Sequence, residues 1–373
     1  MNKTYRLVWC RFRNAWIAVS ELSKSKTKSS KTRTVASIVF SGLMITFTSG
    51  AIAAGAPMTT CTPNDTASTF NSNSLFGQNI VCEWNTTYST FVGNNITAEG
   101  NGVNLVAVGN NISTGGERST VLGSKITHSG RFTTVIGQNI KSNTEHSIVM
   151  GEDTTIDGGN YDISIGGNQN ISNSQHTVAL GNNIKTSGSI TSLAAGNDTT
   201  ITNSRLATAV GDRTSVTDST SASAFGAGSS IIKADHSIAV GAKASVNESH
   251  SSFAGGENAS ITGGYGNIAI GSTSTVSNTF GSSAIGYESS VTGNSRGMAL
   301  GTQAKVTDSD RGTALGASAS VTNSASASAS GNNASVTDSS YAQADGAGAK
   351  VTSSKSATAV GNDAIVTNSG SAT

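Results

Sequence analysis

The chain has 373 residues, enough for two or three ordinary domains, but its composition is not that of an ordinary globular protein: 43 glycines, two prolines, 5% aromatic and 12% charged residues. Such poverty in large apolar side chains would suit disorder, yet a strict repeat runs through the chain, and a disordered segment has no reason to keep register. The formal charge of +1 offers no electrostatic footing for nucleic acid or heparin.

Residues 1–33 hold nine basic residues (Lys3, Arg6, Arg11, Arg13, Lys24, Lys26, Lys28, Lys31, Arg33) and one acid, Glu21. An apolar run from Val35 to Phe47 follows, then small residues ending Ala51-Ile52-Ala53. Basic, apolar, then A-x-A is the order of a secretory signal, cleaved near Ala53 or Ala56. The run is too short and too interrupted by Ser, Gly and Thr for a retained membrane span. Of 23 basic and 22 acidic residues, cleavage leaves 14 and 21, so the remainder is acidic by about seven charges. The segments Met1-Asn2-Lys3-Thr4-Tyr5-Arg6 and Asn14-Ala15-Trp16-Ile17-Ala18-Val19-Ser20-Glu21-Leu22 resemble the extended signal peptide of Gram-negative type V secretion proteins. The resemblance implies a Gram-negative source and Sec-dependent export, and does not choose among autotransporters, two-partner proteins and trimeric adhesins.

Cys10 leaves with the signal. Cys61 and Cys82 remain, and in an exported chain they admit one intramolecular disulfide, which would pin the N-terminal end of the repeat. Residues 54–76 lack the repeat motif and read as a cap segment.

From Gly77 the repeat governs the sequence. Gly77, Gly93, Gly109, Gly123, Gly137 and Gly151 are followed by a glycine every fifteen residues to Gly361, twenty in all. A period this short predicts a solenoid. A typical coil, His236-Ser237-Ile238-Ala239-Val240-Gly241-Ala242-Lys243-Ala244-Ser245-Val246-Asn247-Glu248-Ser249-His250, alternates apolar and polar with the period of a strand. Fifteen residues at roughly 3.3 Å each make two short strands and two tight turns. Ala239 and Val246 are expected inside. Ile238 and Val240 are expected outside, as are Ile268, Ile270, Met298 and Leu300, on a face that needs a second surface to cover it. Asparagines after the glycine (Asn110-Asn111, Asn182-Asn183, Asn332-Asn333) suit the turn. Val216-Thr217-Asp218-Ser219 and Val321-Thr322-Asn323-Ser324 suggest Asx-type bonding at the second turn.

Ser237-Ile238-Ala239-Val240-Gly241 and Asn267-Ile268-Ala269-Ile270-Gly271-Ser272-Thr273-Ser274 resemble the N-S-V-A-I-G-x-x-S head repeats of YadA-like trimeric autotransporter adhesins. The resemblance implies an all-β, left-handed parallel β-roll of 14–16-residue coils over residues 77–373, three chains around one axis, and attachment to host matrix or cell surfaces with autoaggregation. Collagen, fibronectin and laminin are the partners it suggests. Carried over residue by residue, the ligand-contact candidates are Asn267, Ile268, Ala269, Ile270, Gly271 and Ser274, then Ser283, Ala284, Ile285, Gly286 and Ser289. The family's neck, heptad stalk and membrane-anchor strands are not seen here. The expectation is therefore a head that does not anchor itself and stays periplasmic when expressed alone.

Nothing in the repeat reads as an enzyme, and no cofactor is expected. His146, His176 and His236 share one column, five residues before the glycine. His146 and His176 are two coils apart, about 9–10 Å, too far to share a metal. Asp218, Asp308 and Asp338 lie in a turn column without the set partner that a carboxylate pair requires. G-G-x-G-x-D and G-x-x-x-x-G-K-S are absent. Two other β-solenoid functions compete with adhesion. A tailspike-like polysaccharide lyase would use longer coils with aromatic and acidic clefts. An ice-binding solenoid would display threonine ladders, but threonine follows the β-branched position singly (Thr217, Thr307, Thr337) and no T-x-T pair is read on a strand.

Overall fold

The computed structural model describes residues 5–10, 15–20, 73–82, 86–99, 102–293 and 295–372, in two units, Met1–Ala54 and Gly55–Thr373. In the first unit Tyr5–Cys10 pairs antiparallel with Ala15–Ser20, Trp9 opposite Trp16. The second is an all-β parallel solenoid of about 19 turns, without a helix among the described residues. Twenty glycines mark about 19 turns because each turn runs from one glycine to the next. The first strand of the roll is Ser74–Cys82, so residues 74–76 belong to the roll and not to the cap. Asn73, the one other described residue of that cap, donates to Thr86 O and accepts from Ser89 N, both at 2.9 Å; residues 54–72 and the expected cleavage site lie outside the described residues.

Each coil pairs with the next in strict register, Ile163 with Val178, Ser164 with Ala179, Ile165 with Leu180 and Gly166 with Gly181. Tight turns make the coil close on itself. The second residue after the glycine takes a left-handed conformation (Asn183 at φ 55°, Lys243 at φ 56°), and so does the residue five before it (His176 at φ 53°, Leu206 at φ 54°). That conformation costs an L-residue about 1–2 kcal/mol. It is offset by aiming the N–H at the preceding coil, as Asn183 N does to Gly167 O (3.0 Å) and His176 N to Asn160 O (2.9 Å).

The alternation read in Ile238-Ala239-Val240 holds: Ala239 is wholly buried, while Ile238 and Val240 stand out of the opposite side. Inside, alanine and valine share the space with a column of serines. Ser324 and Ser339 each donate to the carbonyl two residues back (Thr322 O and Thr337 O, both 2.7 Å). Each also accepts from the next coil, Ser339 N to Ser324 Oγ at 2.8 Å and Ser354 N to Ser339 Oγ at 2.9 Å. The serine of the V-T-D/N-S quartet is therefore an internal rung, not part of a local Asx turn. The Asp or Asn before it also bonds between coils, Asn203 Nδ2 to Asp218 Oδ1 and Asn323 Nδ2 to Asp338 Oδ1, both 3.1 Å. A buried hydroxyl must find partners to avoid a desolvation cost, and here it stitches one coil to the next.

The change of period has a local cause. Between the last fourteen-residue coil and the first of fifteen, pairing slips after Asn143: Asn143 lies opposite Asp157, but Thr144 lies opposite Gly159. The extra residue is Gly158, at φ 74°, a β-bulge in effect. The core changes with it. Before the slip the larger buried side chain is the isoleucine three after the glycine (Ile112, Ile126, Ile140). Beyond it, the β-branched residue five after takes that role (Ile156, Ile171, Val246, Val306), and small residues such as Ala244 and Ala304 fill the other place.

Along the outward apolar face the later coils turn polar, at Ser328 with Ser330 and at Gln343 with Asp345. Hydrogen exchange is expected to be faster there than over residues 268–300. Equal protection along the array would contradict this.

Candidate functional site

The repeat presents two broad faces. One holds the outward residues of the strand before the glycine, and there the ligand-contact candidates separate. Ile268 and Ile270 point outward, 37% and 39% exposed; Ser283 and Ile285 are half-buried. Asn267, Ala269, Ser274, Ala284 and Ser289 are fully buried, so their assignment as ligand contacts is corrected. The alternation that turns Ile268 and Ile270 out turns Asn267 and Ala269 in. Asn267 is a cross-link within the core: its Oδ1 accepts from Ser282 N (3.1 Å) and Thr279 Oγ1 (2.9 Å), and its Nδ2 donates to Thr279 O (3.0 Å). Ser289 Oγ donates to Gly286 O at 3.0 Å, closing its own turn. Gly271 and Gly286 bring coils together: a Cβ on either would lie 2.3 Å from the next coil's glycine oxygen.

The second face belongs to the strand after the glycine. Around its buried β-branched residue stand two outward ranks, mainly serine and threonine: Thr200 and Thr202, Ser215 and Thr217, Ser260 and Thr262, Ser290 and Thr292, held in register coil by coil. Thr200-Ile201-Thr202 is a T-x-T pair on one strand, contrary to the expectation that none exists. From Thr200 to Thr292 neither rank carries a charge.

At the corner before the apolar strand lies a feature the histidine spacing hinted at without revealing. His146 and His176 do not meet; Tyr161 stacks between them, with ring centroids at 4.7 and 5.1 Å. Phe132 extends the pile on His146 at 4.8 Å, and the Arg118 guanidinium lies 5.4 Å from the Phe132 ring, within cation–π range. The signal was the column itself, which holds an aromatic ring in four successive coils. Cys82 is buried and disulfide-bonded; Cys61, its expected partner, lies outside the described residues.

Among the described residues of the roll, two ionisable side chains, His128 and Asp162, are buried. His128, 1% exposed, fills a place held by Ser142 in the next coil and mostly by Ile or Val in later ones, with Nε2 3.4 Å from Ser119 Oγ. Room for its ring comes from Gly116, where a Cβ would lie 2.6 Å from Nε2. Burial lowers its pKa to about 4, although the Ser142 and Gly130 backbones act in the other direction. Asp162 accepts from Thr177 N at 2.8 Å, and burial raises its pKa to about 6 despite that bond. The two act oppositely on stability. His128, lowered, contributes stability present above its ordinary value near 6.5 and lost as pH falls through about 4. Asp162, raised, contributes stability present below its ordinary value near 3.8 and lost as pH rises through about 6. Each window spans about 3 kcal/mol. Across pH 4–6 the slopes offset, so His128→Gln should leave coils that weaken as pH rises, and Asp162→Asn coils that weaken as pH falls. Hydrogen exchange over residues 114–177 at several pH values reads this; variant profiles parallel to the parent's would contradict it.

No curated protein matches the chain. Residues 1–50 match the family described as the extended signal peptide of the type V secretion system. That leader indicates type V secretion and implies export across the inner membrane.

Proposed function

We propose that the roll is the head of a homotrimeric surface adhesin, with no catalytic role, carried outward by type V secretion. The observation that carries this reading is the uncovered apolar face. Ile148, Met150, Ile165 and Leu180 begin it; Ile268, Ile270, Met298 and Leu300 continue it, each more than a third exposed. Monomeric proteins seldom expose contiguous apolar area beyond a few hundred Å², and full burial of one such side chain is worth about 1.5–3 kcal/mol. Three copies facing one axis cover all of it. Ile268 and Ile270 then serve the axis, and host ligands meet the hydroxyl ranks on the opposite face, where many identical coils favour multivalent contact.

A screen of the exported chain on collagens, fibronectin and laminin tests the adhesive part. Saturable binding to one of them, reduced by lysine substitutions at Ser260 and Ser290, is the expected result. Failure to bind any matrix or host-cell surface would overturn it. Ice binding is the second reading, favoured by the uncharged hydroxyl ranks and the Thr200-Ile201-Thr202 pair. Thermal hysteresis by the exported chain would establish it in place of adhesion.

A further inference from the structure

The apolar strand is flanked by two corners of different chemistry. At the corner before it the ring pile of Phe132, His146, Tyr161 and His176 stands in solvent, with Phe132 42% and Tyr161 53% exposed. Beside the pile Arg131 is paired with Glu117 (3.7 Å) and Glu145 (3.3 Å), and Arg118 lies over the Phe132 ring. The corner after the strand, formed by the two residues that follow each glycine, is amide and acid over the same coils. In the coils that carry the four rings it reads Gln138-Asn139, Glu152-Asp153, Gly167-Asn168 and Asn182-Asn183, without a cation. Its side chains form a ladder of their own, Asn139 Nδ2 donating to Asp153 Oδ1 (2.5 Å) and Asn183 Nδ2 to Asp198 Oδ1.

Cyclic symmetry fixes which corners meet. If the apolar strand faces a threefold axis, the leading corner of each copy abuts the trailing corner of its neighbour, a heterologous contact that closes after three steps. We propose that the partner of the ring pile is the carboxylate and amide ladder of a second copy of this chain, coil against corresponding coil. The inference rests on the trimeric reading above and adds to it the seam between protomers. Ring edges carry partial positive charge, and a face-to-face pile presents only edges outward. The edges of two imidazoles and two other rings face carboxylate and amide oxygens across the seam. The contact is continuous with the apolar axis, so one docking event buries both.

Cysteine pairs test the seam in the full exported chain. Gln175→Cys with Asn182→Cys places one thiol on each corner of the same coil, and Glu145→Cys with Glu152→Cys repeats the test two coils earlier. Neither pair disturbs the stacked rings. With a short bismaleimide, each double variant is expected to run as a covalent trimer on a denaturing gel. Linking should be on the order of a hundredfold faster than in the single variants, since thiols held across a seam react at millimolar effective concentration. Rapid linking of a single variant would mean that like corners meet, and would overturn the proposal. A chain that sediments as a trimer while neither pair links would overturn the seam and leave the trimer standing. A monomer would remove both.

Discussion

Gly166→Ala is expected to break the stack at its own coil. At φ 137° the new Cβ would lie 1.7 Å from the carbonyl oxygen of Gly181 in the next coil. The obstacle is backbone, so no rotamer relieves it, and the coils must part, breaking hydrogen bonds along the whole turn. A loss of about 3 kcal/mol or more is expected, localised to the two coils concerned because a solenoid's stability is a sum over neighbours. Limited proteolysis should open the chain near residues 166–181 in the variant and leave the parent intact. Gly266→Ala is the control inside the array. Its φ of 67° is also left-handed, but the nearest atom to the added carbon is Gly281 Cα at 4.0 Å, so only the conformational cost of about 1–2 kcal/mol should appear. Equal damage from both substitutions would show that collision between coils is not what keeps this column glycine.

On the trimeric reading proposed above, Ile268→Asp combined with Ile270→Asp should separate the protomers while leaving the coil closed. Both side chains point away from the core, whose nearest member, Ala269, is untouched, so a single roll tolerates the charges. In the trimer the same substitutions bring six carboxylates to one axis. An unpaired buried charge costs several kcal/mol, and the cost recurs in each of three chains. The expected outcome is a monomer with an unchanged β-sheet circular dichroism signal. A variant that remained trimeric would place the apolar face elsewhere than at the axis.

The parts of the fold legible in the sequence are those that repeat with a single meaning. The period of two in Ile238-Ala239-Val240 separates inside from outside, and the fixed glycine spacing predicts stacking. Residues whose meaning depends on the coil above or below were harder to read. Ser324 and Ser339 look like turn residues along the chain and become core rungs only when coils stack. Asn267 resembles a surface motif residue by family pattern, but the strand's alternation buries it. The ring pile was missed because the column was read for histidines alone, where spacing argues against a metal. Aligning the coils places Phe132, His146, Tyr161 and His176 one above another. His128 was hidden by the shorter early coils, in which Gly116 opens the space that its imidazole fills.

Sedimentation equilibrium of the exported, processed chain over a range of concentrations tests the uncovered-face account. It predicts three times the chain mass, unchanged on dilution, because association covers an apolar face that a single roll leaves in water. A folded monomer, with the roll's circular dichroism and Ile268 and Ile270 in water, would contradict it.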